Sequence, residues 1–425
     1  MTTVFINIKE LFQVREHTKQ PLRGTAMGEV PSIKNAYLVV EHGCIKEYGN
    51  MRDMQPHEIS KVIDCTDTVI LPGYVDAHSH AVFAHTREAE FEDRINGRSY
   101  EEVAARGGGI LNSAAALASR SEDNLYEEAL ARVMKLVHMG TTTLEIKSGY
   151  GLSLEAELKM LRVIARLKLA FSENGKDTLQ TKGANLSITA TFLGAHAIPK
   201  EYKANRTAYL DLIVNQMIPQ VAAAGLAQFI DVFCEVNYFT VAEMLRIIKA
   251  GKDHGLLAKV HVNQFNSIGA IPVAVQAGAL SVDHLEVMNK ADFVALAGAA
   301  TIATALPSCS FFLGIPYAPV NKMIDENIAV ALASDYNPGS TPSGNMNFVF
   351  ALACIQMKMT PEAALNALTI NAAHALGLQD EVGSITSGKQ ANLLLFKGID
   401  NLTLIPYSFG EMLVSRVMVR GVFIN

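Results

Sequence analysis

Short apolar runs alternate along most of this chain with stretches that place apolar residues every three or four positions, a pattern that predicts strands and amphipathic helices in turn. Eight runs have strand character: VILPGYVDAHSH, TTTLEIKSGYG, LSITATFLGAH, FIDVFCEVN, AKVHVNQF, LSVDHLEV, ATIATALPS and AVALASDYN. Helix candidates lie between them, such as NLYEEALARVMKLVHMG at 124–140 and TVAEMLRIIKAGKDHG at 240–255, the second opened by a Thr able to cap it and closed by Gly. Eight repeats of this kind predict a parallel (β/α)8 TIM barrel. A doubly wound open sheet shares the alternation, so the polar residues have to arbitrate. Nearly every candidate strand finishes on a group that chemistry can use: His78 and His80, Tyr150, His196, Glu235, His261, His284 and Asp335. A barrel gathers such ends at one mouth, whereas an open sheet spreads them apart.

The outer segments read differently. Residues 1–66 hold the short β-type runs VFINI, AYLVVEHGCIKEYG and KVIDCT between polar turns, and GSITSGKQANLLLF and MLVSRVMVRGVFIN follow beyond residue 380. The two ends are expected to pair in a small sheet of 1–66 and 380–425 around a central barrel of 67–379.

With 425 residues, 49% of them hydrophobic, the chain can build a substantial core. A net charge of −6 with Lys and Arg scattered throughout offers no basic stripe for nucleic acid and no polybasic patch for anionic lipid. The five cysteines, Cys44, Cys65, Cys234, Cys309 and Cys354, stand far apart without C-x-x-C spacing, which argues against a disulfide framework or a thiolate zinc site and fits a reducing compartment. The N-terminal MTTVFINIKELFQV lacks the parts of a secretory signal, and the apolar VALAGAATIATAL at 294–306 falls short of the roughly 20 residues that span a bilayer. A soluble cytoplasmic protein is expected, with a homodimer as the assembly.

Successive strand side chains face opposite sides, so the two histidines of H-S-H point the same way, a chelating arrangement. Taken alone, the pair reads equally well as two histidines hydrogen-bonded at a strand end. His261 on the fifth strand and Asp335 on the eighth bring the set to three imidazoles and a carboxylate, which fits one Zn or Fe ion with a position left for water. Tyr150 offers a hydroxyl and a ring face, or plugs the mouth; His196 is a site residue or a packing one. RGGGI at 106–110 lacks the spacing of a phosphate cradle and reads as a mobile loop near the mouth.

The P-G-x-V-D-x-H-x-H start, the late His and S-D-Y-N-P-G-S near the last strand resemble the amidohydrolase superfamily. Within it, EDRINGRSYEEVAARGGGI, EIKSGYGL, TFLGAHAIP, the H-x-x-Q of HVNQ, SVDHLE and SDYNPGSTPSGNMNF resemble the imidazolonepropionase family of histidine degradation, over about residues 65–390. The resemblance implies a barrel with a small β-sandwich built from the termini, and a metal held by His78, His80, His261 and Asp335. It implies a substrate, a five-membered imidazolone ring with a propionate arm, met by Arg87, Tyr100, Tyr150, His196, Gln264, Asn337, Gly339 and Ser340. Arg87 suits the propionate because its planar fork takes a carboxylate in two parallel hydrogen bonds. Larger relatives bridge two metals through a modified lysine at the end of strand four; here that strand ends CEVN, and Lys147, on strand two, reads as a structural or surface lysine, so one metal is expected.

The chemistry this implies is opening of a cyclic amide, with Asp335 moving the water proton to the leaving nitrogen and His284 steadying the hydroxide or oxyanion. Gln264 stands where the family pattern has an acid; its amide hydrogen-bonds beside the reaction but cannot shuttle a proton. Two rivals remain: a deaminase or other cyclic amidohydrolase acting on a nucleobase-like ring, which needs no cation at Arg87, and a barrel kept as a non-catalytic scaffold, which needs none of the four ligands.

Overall fold

The computed structural model describes residues 2–16, 19–55, 61–98, 102, 108–172, 175, 181 and 183–424. The N-terminal strands are β1 (Thr2–Phe12), β2 (Ser32–Glu41), β3 (Cys44–Asn50), β4 (Lys61–Asp64) and β5 (Thr68–Pro72). The central strands are β6 (Tyr74–Asp76), β7 (Thr141–Lys147), β8 (Ser187–Ala195), β9 (Phe229–Cys234), β10 (Leu257–Val262), β11 (Ser281–His284), β12 (Ile302–Ala305) and β13 (Val330–Leu332). The chain ends with β14 (Leu393–Lys397), β15 (Arg416–Val419) and β16 (Val422–Ile424).

Strands β6 to β13 pair in sequence order and in parallel, the eight-stranded barrel that the repeat pattern predicts. Its last seam is closed just past the ends of β6 and β13. The backbone N–H of Asp335 donates to His78 O at 2.9 Å and that of His80 to Tyr336 O at 2.8 Å. Below them Asp76 accepts the Ser334 N–H at 3.0 Å and the Ser334 hydroxyl at 2.6 Å, a buried carboxyl that burial pushes up to about 7.

The expected helices form as well. Glu122–His138 is capped by the Ser121 side chain, and Val241–Asp253 carries a full capping box between Thr240 and Glu243.

The terminal strands form the second sheet, in the order β16-β15-β14-β5-β1-β2-β3, with β4 against β1. Two tight hairpins shape it, His42-Gly43 and Arg420-Gly421, all four residues at positive φ as two-residue turns require. Period-two alternation gives the sheet two apolar faces. Ile70, Leu393, Leu395 and Met418 join Phe5, Leu11, Leu38 and Val40 in a core of its own. Their alternates Val69, Leu71, Leu394, Phe396, Val417 and Val419 merge with the barrel's core. The sandwich expected from the termini is therefore one connected sheet that encloses its own core and packs its back on the barrel.

The run VILPGYVDAHSH differs from its reading as one strand. Thr68–Pro72 pairs with β1 and β14 in the terminal sheet, and only Tyr74–Asp76 enters the barrel. Gly73 is the crossing point: a Cβ there would lie 2.1 Å from Thr142 Oγ1, so no other residue lets the chain pass between sheets so closely.

The seam yields a test. Asp76→Ala strands the buried Ser334 N–H, which costs about 1–3 kcal/mol, so the urea unfolding midpoint should fall; an unchanged midpoint would mean the barrel is closed by other contacts.

Candidate metal centre and its cavity

His78 and His80 follow β6 and project into the barrel mouth together, their ring centroids 5.4 Å apart. His261, on β10, brings its ring centroid within 4.4 Å of that of His78. The ligand atoms of His78, His80 and His261 lie within 4.8 Å of one another, and so do those of His78, His284 and Asp335. His78 Nε2 and His80 Nε2 stand 3.6 and 3.7 Å from Asp335 Oδ1. His78 Nε2 is buried and makes no hydrogen bond among the described residues. Burial, reinforced by neighbouring imidazoles and Lys147, pushes His78, His80 and His261 down, toward the neutral form that coordinates metal. An orphaned buried nitrogen facing a carboxylate among neutral imidazoles fits a divalent cation.

Behind these ligands is a layer of charge that the sequence reading missed. His78 Nδ1 meets Asp283 Oδ2 at 2.7 Å, leaving Nε2 for the cavity. His261 Nδ1 lies 2.8 Å from Asp231 Oδ2, out of line for a hydrogen bond, while Asp231 Oδ1 accepts the His261 backbone N–H at 3.1 Å. Lys147 Nζ ties the layer together, 2.8 Å from Glu145, 2.9 Å from Asp231 and 3.6 Å from Asp283. Lys259 donates to Ser281 Oγ at 2.7 Å and lies 3.9 Å from both Glu145 and Asp283. All five charged groups are fully buried. Burial alone would lower Lys147, but Asp231, Glu145 and Asp283 outweigh it and hold the ammonium charged. Lys147 is thus a structural lysine, engaged by carboxylates.

Of the other expected site residues, Tyr100 lies outside the described residues and Gly339 packs against Arg87; the rest surround the same space. A cavity of about 40 Å³ is lined by His80, Arg87, Tyr150, His196, His261, Gln264, His284, Asp335, Asn337 and Ser340, with Ile110 and Phe233 completing the wall. That is room for a few waters. Ile110 also faces an outer cavity of about 540 Å³, which makes it the partition between the two.

Each lining group has its own support. Glu157, fully buried, accepts the N–H groups of Gly149, Gly151 and Leu152 at 3.1, 2.7 and 2.9 Å, and so fixes the loop that carries Tyr150. His196 Nδ1 meets Gly149 O at 3.0 Å, and burial pushes its imidazole down to about 4. Asn337 Oδ1 accepts the N–H groups of Gly339 and Ser340, both at 2.8 Å, while its amide donates to Asp335 O at 2.7 Å. Gly339 bears no side chain because Arg87 lies against it: a Cβ would sit 2.2 Å from the guanidinium carbon. Arg87 Nε donates to Glu90 at 2.9 Å, and Glu90 also accepts the Gly109 N–H at 3.0 Å. Burial would lower His284, but the charge and hydrogen bond of Glu286 outweigh it and raise the imidazole above its ordinary value.

Comparison with known proteins decides the lineage. A model of the amidohydrolase family matches residues 69–424. The chain belongs to the amidohydrolase family. An imidazolonepropionase of Christiangramia forsetii is 51% identical over 421 residues, 99% of each chain. One of Desulfotalea psychrophila is 41% identical over 407 residues, 95% of each. Among solved structures, the guanine deaminase of E. coli matches with a TM-score of 0.72 at 14% identity, over 100% of this chain and 99% of that one. An atrazine chlorohydrolase from Arthrobacter aurescens, complexed with zinc, reaches 0.66 at 15% identity, over 99% and 94%. Both share the fold of this chain over nearly its whole length. No helix among the described residues is long and apolar enough to cross a membrane.

Lys147 offers a direct test of the charged layer. Lys147→Met removes the tie between Asp231 and Asp283, and the loss of such an outer partner costs about 10–100-fold in metal affinity. Competition with a chelator, read as metal per folded chain, should show that loss; wild-type retention would reduce the layer to packing.

Proposed function

We propose that this amidohydrolase hydrolyses the carbon–nitrogen bond of the cyclic amide in 4-imidazolone-5-propanoate, giving N-formimidoyl-L-glutamate in histidine degradation. The observation that carries this reading is a buried guanidinium, Arg87, in the same small cavity as the His–Asp cluster. A propionate arm is matched by a cation in the same cavity, whereas a neutral nucleobase-like ring calls for none. The relatives named imidazolonepropionase, aligned over nearly the whole chain, support it.

In this reading His78, His80, His261 and Asp335 hold one divalent ion, Zn or Fe. When bound, the ion supplies an acidified water and polarises the ring carbonyl. The chain does the rest. Arg87, Asn337 and the Ser340 hydroxyl seat the propionate end, while Tyr150 and His196 lie along the ring. Asp335 takes the proton from water and returns it to the leaving nitrogen. Without the ion, burial lifts its carboxyl to about 6, above the range of an exposed aspartate. His284, oriented by Glu286, steadies the developing oxyanion. Gln264 contributes hydrogen bonds and no proton transfer.

Five free cysteines suit the cytoplasm as its place of action. The solvent-facing Tyr407 and Phe409, 76% and 62% exposed, suit a homodimer; light scattering that returns the mass of one chain would exclude it.

Incubation of the purified protein with imidazolone propionate should show loss of ring absorbance as formiminoglutamate appears, and a chelator should stop both. No metal-dependent loss would remove this function. Asp335→Asn should lower kcat by about 10²–10⁴-fold, the usual worth of a general acid–base, and Gln264→Ala far less with metal still bound. Arg87→Ala should act mainly on KM; an unchanged KM would favour a ring without the arm.

A further inference from the structure

Beside the centre just described stands a second set of donors. The ligand atoms of His284, Glu286 and Cys309 lie within 4.8 Å of one another, and all three side chains are buried. Their convergence has a backbone cause. His284 and Leu285 adopt φ of 92° and 72°, turning the chain sharply as it leaves β11, and Glu286 comes back against its own neighbour with Oε1 3.3 Å from His284 Nδ1. Cys309 stands in the first turn of the helix Pro307–Leu313 that follows β12.

The set has an unfilled position. Glu286 Oε1 also accepts the Ser310 hydroxyl at 3.3 Å, but Oε2 is buried with no hydrogen-bond partner among the described residues. A buried carboxylate oxygen left so costs free energy unless a donor or cation reaches it. The Cys309 sulfur meets the Gln264 amide at 3.4 Å and faces Asp335 and Ser340.

We propose that His284, Glu286 and Cys309 form a second cation site, adjoining the resident centre through His284, that takes a thiophilic divalent ion such as zinc or cadmium in excess and thereby inhibits the enzyme. The donor chemistry sets the class of ion. One imidazole nitrogen, one carboxylate oxygen and one sulfur suit zinc and cadmium, whereas magnesium and calcium prefer oxygen alone. Binding exchanges the thiol proton for the metal: the S–H proton leaves to solvent as the sulfur–metal bond forms, with no change of oxidation state. Inhibition follows from the shared residue, because an ion drawing on His284 and Glu286 removes both from the support of the oxyanion. The site itself does not depend on which ring the enzyme opens; only the inhibition rests on the function proposed above.

Holoenzyme carrying one metal per chain is titrated with cadmium chloride, read by thiolate-to-cadmium ultraviolet absorption and separately by turnover. One further equivalent should produce the band, and turnover should fall with the same midpoint. Cys309→Ser should abolish the band and move inhibition at least 10-fold higher in cadmium, each rate taken relative to that variant without cadmium. Glu286→Gln, which keeps the thiol, should weaken the band's midpoint and carries the test if the serine variant does not fold. Magnesium should produce neither effect. Absence of the band in the wild type, its persistence in Cys309→Ser, or a saturated band with undiminished turnover would each overturn the proposal.

Discussion

Two backbone hydrogen bonds, Asp335 N–H to His78 O and His80 N–H to Tyr336 O, set most of what this molecule can do. They close the barrel, and they run between the two segments that carry its most distant metal-ligand candidates. Folding of the barrel and gathering of the ligands are therefore one event. Asp335 takes part at φ 53°, a conformation that costs a non-glycine residue about 1–3 kcal/mol unless its surroundings hold it. Asn337 holds it, bonding to the Asp335 carbonyl and to the N–H groups of the turn that follows. Strain, closure and ligand position are coupled through a handful of residues at the mouth.

Beneath the seam the barrel interior carries Lys147, Lys259, Glu145, Asp231 and Asp283, an expensive choice. Buried ion pairs seldom stabilise a fold more than well-packed apolar residues would, whereas removing one partner alone is strongly destabilising. The layer is better explained by what it touches. Asp283 orients His78, Asp231 lies against His261, and Lys147 keeps both carboxylates in place. Three carboxylates against two ammoniums leave one formal negative charge under neutral imidazoles, a potential that favours a cation at the mouth.

The barrel is legible in the sequence because parallel strands, covered on both faces, read as continuous apolar runs, and their polar ends stand out against them. H-S-H is legible because alternate strand residues share a side. Gly73 is not, since the contact that demands it, with Thr142, is tertiary; the unbroken VILPGYVD consequently reads as one strand where there are two. The charged layer was hidden because Asp231 and Lys259 look like isolated charges in apolar runs. The signal was spacing: Lys259 sits two residues before His261, on the same face. Glu286 was concealed by the opposite effect. Ser281 and Asp283 bond to each other inside the barrel, so regular alternation sends His284 outward, and only the positive φ at His284 and Leu285 brings it and Glu286 to the site.

The neutral residue at position 264 bears on where the proton goes. Among the residues that line the cavity, Asp335 is the sole carboxylate, and the charge of Glu286, against His284, also raises it. An acid at 264 would add a second charge in the wall and, by repulsion, raise Asp335 further or compete with it for the proton. Gln264 instead donates its amide to the Cys309 sulfur and leaves the cavity with a single carboxylate to accept and release a proton. The arrangement suits the proposed relay, in which one carboxylate would both hold the ion and carry the proton from water to the departing nitrogen, with the amide kept for hydrogen bonding alone.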